Sequence, residues 1–141
     1  MTNKDFSKLS PELIVLIRKS THDPFLGDIA LQKNPKDIVA IHHGLTIVGF
    51  AIPRKDGDGY WRTGPIFIDP LYRNKGYGGE WVKEFFKGRK GRAYINPTNT
   101  PSKALFMSAG FKETSKSIMD GGEKLIQFLK EKWYEGNNNK R

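Results

Sequence analysis

The chain contains no cysteine among its 141 residues. That absence excludes a disulfide scaffold, a thiolate zinc site and a cysteine nucleophile, and it is compatible with a reducing compartment. Long apolar runs are also missing, and none approaches the roughly 20 residues that a membrane span requires. The opening segment, residues 1–7, is polar and lacks the apolar core of a secretory signal. The expectation is therefore a cytoplasmic protein with no membrane partner. Acidic residues are scarce beside basic ones, 15 Asp+Glu against 24 Lys+Arg, for a net charge of +9. Such an excess attracts polyanions, either a phosphate-bearing cofactor or nucleic acid. Part of it is local, with Lys83, Lys87, Arg89, Lys90 and Arg92 close together.

What is present suits a single globular domain. Hydrophobic residues make up 37% of the chain and aromatics 12%, enough for a core at this length. Residues 1–9 read as an N-terminal extension, 10–134 as the domain, and 135–141 as a disordered basic tail. Trp133 and Tyr134 are expected to cover an edge of the core.

Helix signals open the domain. Ser10 is an N-cap candidate, Pro11 suits the first helical position, and Leu13, Ile14, Leu16 and Ile17 follow at helical spacing. Asp23-Pro24 ends that pattern, and a short second helix is expected from Phe25 to Gln32. Strands are expected over 37–42 and 45–53 around a His43-Gly44 turn, then over 60–68 after the turn 55–59. The remainder reads as a helix over 77–87, a strand over 92–95, a helix over 102–109 closed by Gly110, and a hairpin of 111–119 with 124–129. The fold class is α/β, with one central sheet, mixed and mostly antiparallel, flanked by helices.

One segment joins a strand to a helix through Pro70, Arg73, Gly76, Gly78 and Gly79. A helix N-terminus leaves backbone N–H groups unpaired and favours anions, and glycines let that backbone approach a ligand closely. Arg73 and Lys75 add charge, so the construction suits a pyrophosphate. The same pattern also serves as a plain strand-to-helix turn. The spacing is not that of a P-loop, and the dinucleotide fingerprint is not completed.

The run Ile66-Phe-Ile-Asp-Pro70-Leu-Tyr-Arg73-Asn-Lys-Gly76-Tyr-Gly78-Gly79 resembles motif A of the GNAT superfamily of N-acetyltransferases, V-x-P-x-x-R-x-x-G-x-G/A between a strand and a helix. A second run, from Asn99 to Phe111, resembles that family's N-x-x-A-x-x-x-Y-x-x-x-G-F. Asn99, Gly110 and Phe111 match; Ser102 stands for the alanine and Phe106 for the tyrosine. The element order from residue 10 to residue 129 agrees as well, although no first strand is visible before Ser10.

The resemblance implies a GNAT-like domain with splayed strands at a cofactor site, and an enzyme that moves an acyl group, most simply acetyl, from acyl-CoA to an amine. It implies that the backbone of Phe67 and Ile68 holds the pantetheine arm. The pyrophosphate falls to Arg73, Asn74, Lys75, Gly76, Tyr77, Gly78 and Gly79, and Asn99 and Phe106 lie near the thiol end. A base must take the amine proton. Asp69 and His43 are candidates, with His42, His22 and Asp23 also in reach of the argument. The family's tyrosine acid is replaced by Phe106, which cannot donate a proton. Either the thiolate leaves unprotonated, or Ser108 or Tyr94 serves, or the protein binds the cofactor without catalysis. An acyltransferase acting on nucleic acid is a further alternative, prompted by the charge. Trp61 and Tyr60 read either as packing on a sheet face or as stacking on a base. No metal site is expected, and the assembly is a monomer or a homodimer.

Overall fold

A computed structural model describes residues 9–24 and 26–131. The expected basic tail, Trp133, Tyr134 and residues 1–8 of the expected extension lie outside the described residues. The described residues divide into two compact units. The first takes in those up to Arg54 together with Thr63–Gly78; the second takes in Lys55–Arg62 and those from Gly79 on.

In the first unit, α1 (Pro11–Ser20) starts where its sequence says. The Ser10 hydroxyl accepts from the Leu13 N–H at 3.2 Å, and Pro11 loses no hydrogen bond at the first position. Leu13, Leu16 and Ile17 face inward at helical spacing. The second helix, α2, covers only Ile29–Gln32, shorter than expected. Phe25, the first residue of that expected helix, lies outside the described residues; Pro24 and Leu26 to Asp28 turn instead, and Gly27 (φ 52°) interrupts the chain just before α2. Strands β1 (Val39–His43) and β2 (Thr46–Ala51) form the expected hairpin, with a register shift between Ile41 and His42. The core of this unit gathers Leu13, Leu16 and Ile17 with Ala30, Ile38, Phe50, Ile52 and Phe67.

The strand expected over 60–68 is broken in two. β3 is Arg54–Lys55, β4 is Trp61–Arg62 and β5 is Ile66–Ile68. β5 joins a three-stranded sheet in the order β1-β2-β5, all antiparallel, while β4 enters a separate five-stranded sheet. The physical reason lies at Gly64 and Pro65. Gly64 has φ 62°, and a Cβ there would sit 1.9 Å from the Ile52 carbonyl oxygen. Pro65 has no N–H to give a ladder. One expected central sheet is thus corrected to two.

The second unit contains α3 from its third residue on (α3 spans Tyr77–Phe85), β6 (Gly91–Ile95), α4 (Thr100–Ser108), β7 (Lys112–Asp120) and β8 (Glu123–Lys130). Its sheet runs β3-β4-β6-β8-β7, with β4 parallel to β6 and the β6–β8 and β7–β8 pairs antiparallel. Val82, Phe86, Ile95, Phe111 and Phe128 are buried there. Phe86 meets Phe111 edge-on at 4.9 Å, a favoured aromatic geometry. The mixed, mostly antiparallel α/β character is as expected. No helix among the described residues is long and apolar enough to cross a membrane.

Candidate functional site

The site is built on the end of β5. Asp69 continues the pairing with β2, its N–H donating to the Val48 carbonyl at 2.8 Å. Its carboxylate accepts the Leu71 N–H at 3.1 Å, capping a single 3-10 turn, Pro70–Tyr72. Lys19 of α1 reaches both carboxylate oxygens at 3.2 Å. With Asp69 only 6% exposed, that ion pair and cap satisfy a buried charge. Asp69, nominated as a base, is thus the residue that shapes the turn.

Alternation along β5 decides which backbone groups are available. The Ile52 N–H donates to the Pro65 carbonyl and the Asp69 N–H to Val48, so residues 65, 67 and 69 address β2. In an antiparallel ladder the intervening residues point their N–H and C=O the other way. Ile66 and Ile68 therefore present theirs at the outer edge of β5, where the sheet order ends. This corrects the expectation for Phe67, whose side chain packs in the core and whose backbone faces the sheet. Ile68 keeps its nominated place, and Ile66, not nominated, joins it. The signal was available, since residues two apart on a strand share a direction.

Beyond the turn, Arg73 is extended and its side chain folds back. Nε donates to the Ile68 carbonyl at 2.7 Å, the guanidinium lies 5.4 Å over the Phe67 ring, and Nη2 stands 3.6 Å from the Asp23 carboxylate. Asn74 (φ 64°) and Gly76 (φ 84°) both adopt the left-handed conformation that turns the chain into α3. Asparagine tolerates it, and glycine takes it without strain. A cleft of about 360 Å³ results. Its walls are Ile66 and Ile68 from β5, Tyr72 through Asn74 and Gly76 from the turn, Tyr77 and Gly78 from α3, and Asp23 from the loop after α1. Gly78 brings α3 close to β5; a Cβ there would lie 3.7 Å from Ile68 Cγ1. His43 stacks on Tyr77 with ring centres 4.4 Å apart, and Tyr72 follows at 6.4 Å.

Arg73, Asn74, Gly76, Tyr77, Gly78 and Ile68 line one cleft, and Lys75 is exposed between them. Tyr72 was missed, since nothing in its spacing marks it. Asp23, weighed only for its place after the first helix, turns out to pair with Arg73.

Solved structures provide the frame for this geometry. A GNAT-family acetyltransferase from Bacillus cereus ATCC 10987 superposes with a TM-score of 0.62 at 16% identity, over 86% of this chain and 89% of that one. A GNAT-family acetyltransferase from Elizabethkingia anophelis with acetyl-CoA bound gives 0.54 at 17% identity, over 88% and 93%. A Bacillus subtilis acetyltransferase in complex with CoA gives 0.56 at 11% identity, again over 88% and 93%. The chain has the GNAT acetyltransferase fold. No protein-family model matches its sequence, and neither does any curated protein.

The remaining nominated residues of this GNAT fold lie in the second unit. Asn99 caps α4, its Oδ1 accepting the Ser102 N–H at 3.2 Å. Phe106 packs edge-on against Phe111 at 5.0 Å. Gly79 answers to packing, because a Cβ there would sit 3.1 Å from Leu105 Cδ1. The Ser108 hydroxyl donates to the Leu105 carbonyl at 2.6 Å. The Tyr94 oxygen accepts from Gln127 Nε2 at 3.3 Å, and Gln127 Oε1 accepts in turn from Thr114 at 2.8 Å. Sequence reasoning overlooked this last chain, which couples residues on three strands.

Resolved pKa shifts fall in the second unit. Asp58 is held below the usual carboxylate range, first by its hydrogen bond from Arg92 and next by the Tyr60 N–H. Arg92 is raised by the same bond to Asp58. Tyr60 is raised because its hydroxyl donates to Glu131 at 2.7 Å, which favours the protonated phenol.

Proposed function

We propose that the chain is an acyl-CoA-dependent N-acyltransferase that moves an acetyl group to an amine. The observation that carries this reading is the outer edge of β5, where Ile66 and Ile68 offer backbone groups beside the cleft of Arg73, Gly76 and Gly78. An acyl-CoA arm carries amides along an extended chain, and it can bond to such an edge as an added strand. The pyrophosphate then reaches the first turn of α3, where unpaired N–H groups and the helix dipole favour an anion. Arg73 turns from Asp23 to meet it, and Lys75 adds charge alongside.

In the reaction the amine nitrogen bonds to the acyl carbon. The developing oxyanion is met by the outward N–H of Ile68. The C–S bond then breaks, and the thiolate leaves with the electron pair, which a fairly acidic thiol permits. The amine proton passes to a base. Asp69 is buried and committed to Lys19 and Leu71. Asp23 faces the cleft, and although its Oδ1 accepts the Leu26 N–H, its other oxygen loses its Arg73 partner when Arg73 turns to the pyrophosphate, so it is the better acceptor, with His43 beside Tyr77 as second. Of the two hydroxyls nominated as acids, Ser108 gives its proton to the Leu105 carbonyl, while the Tyr94 oxygen accepts from Gln127.

Calorimetry with acetyl-CoA tests the reading, followed by thiol release across a panel of amines. Saturable binding that Gly78→Trp abolishes is expected. Asp23→Asn should keep binding but lower kcat by roughly 100-fold, the scale of a lost general base. Absence of binding by the wild-type chain overturns the proposal. Binding without turnover on any amine leaves a coenzyme A-binding module instead.

A further inference from the structure

We infer that the second unit carries a binding face for single-stranded nucleic acid, centred on Tyr60, Trp61 and Phe85 and the cations Lys55, Arg89 and Lys90. The inference is independent of acyl transfer and uses none of the cleft residues.

The parallel pairing of β4 with β6 builds this face. Trp61 stands opposite Gly91, and its N–H donates to the Lys90 carbonyl at 2.9 Å. Tyr60 and Trp61 are thereby held beside the basic run Arg89 to Arg92. Trp61 meets Phe85 of α3 edge-on at 5.5 Å, and Trp81 extends the row by stacking on Phe85 at 4.8 Å. Cations cover these half-buried rings. Arg89 lies 4.4 Å from the Phe85 centre and 5.5 Å from Trp61, Lys55 lies 5.8 Å from Trp61, and Lys90 lies 4.4 Å from Tyr60.

The carboxylates nearby are already committed. Asp56 and Asp58 hold Arg92, whose guanidinium lies 4.8 Å from the Tyr60 ring centre, and Asp56 also lies 3.7 Å from Arg62. Glu131 accepts from the Tyr60 hydroxyl. Among the described residues no carboxylate lies within ion-pair distance of Lys55, Arg89 or Lys90. Three like charges therefore crowd one aromatic cluster in a chain whose net charge is already +9. A partner with regularly spaced anions relieves that repulsion, and one with flat rings can stack among the half-buried rings and the Arg89 guanidinium. Single-stranded nucleic acid offers both at once. A duplex hides its ring faces, and a lipid surface has none.

Fluorescence anisotropy of a labelled oligouridylate with the full chain tests the inference, repeated across a salt series. Saturable binding is expected, with a log–log salt slope near about −2, as about three released counterions on a single strand imply. The Lys55→Glu/Lys90→Glu double variant reverses two of the three charges and removes their contacts with Trp61 and Tyr60, so its folding is checked by circular dichroism. It should lose at least about tenfold in affinity and most of the slope. Trp61→Leu, checked for folding by circular dichroism, should lose roughly fivefold or more while keeping the slope, since stacking is independent of salt. No binding at low salt overturns the inference. So does equal binding by the wild type and the charge variant, which would mean that the excess charge acts diffusely. Preference for phosphatidylserine vesicles over the oligonucleotide would do the same.

Discussion

Two glycines with different neighbours separate ligand access from packing at the residue scale. A methyl on Gly78 would make an ordinary 3.7 Å contact with Ile68 Cγ1. Gly78→Ala should therefore fold and still bind acetyl-CoA, while Gly78→Trp should fold and fail to bind; equilibrium binding beside thermal unfolding separates the two outcomes. A methyl on Gly49 would instead lie 2.1 Å from the Phe67 carbonyl oxygen, against backbone that cannot yield cheaply. Gly49→Ala should destabilise the first unit by about 2 kcal/mol or more, read from urea unfolding midpoints. Tyr60 offers a pH test. Its bond to Glu131 raises the phenol above its usual value near about 10. A raised folded-state pKa gives stability that is complete below the unfolded value and is lost as pH rises through the folded one. The stability advantage of the wild type over Tyr60→Phe should thus hold flat to about pH 10 and shrink above it. Asp58 behaves in the opposite sense. Its lowered pKa gives stability above the ordinary carboxylate range that fades as pH falls through the lower folded value.

Elements were legible where local chemistry alone decides them. Ser10 and Pro11 announce the start of α1, and Gly110 (φ 102°) marks the close of α4, because a cap and a backbone conformation act within one turn. The glycine-rich turn was legible for the same reason, since its demands are backbone demands. The break between β4 and β5 was not. Apolar and aromatic residues on both sides of Thr63 mimic one strand, and what forbids it is the Ile52 carbonyl, twelve residues away in sequence, pressed against Gly64. Couplings across larger separations, Arg73 with Asp23 or Tyr94 with Gln127, leave no local trace. Gly91 on β6 was passed over for that reason too. A Cβ there would meet Phe111 Cζ at 2.4 Å and Phe86 Cε1 at 2.6 Å. Gly91→Ala should lower the stability of the second unit by about 1–3 kcal/mol, because two interlocked rings have no space to move into. Thermal unfolding followed by near-ultraviolet circular dichroism reads that loss directly from the aromatic cluster.

On the scale of the whole molecule, ligand binding and stability are linked. If acetyl-CoA binds the folded chain alone, a concentration 100 times Kd should stabilise it by about 2.7 kcal/mol. The shift should vanish in Gly78→Trp, and a thermal-shift titration checks both statements. A less obvious consequence follows from the size of β5. Its outer edge has no neighbouring strand, although Arg73 caps the Ile68 carbonyl, and an open edge is a standing invitation for other chains to add strands and aggregate. Yet the strand is only three residues long, Ile66–Ile68, and Pro70, next after Ile68 on the outward side, has no N–H to extend a ladder. Such an edge is long enough to grip one narrow extended molecule and too short to template a growing fibril. The shortness that suits the edge to a single ligand therefore also protects the protein from itself during the interval when no ligand covers it.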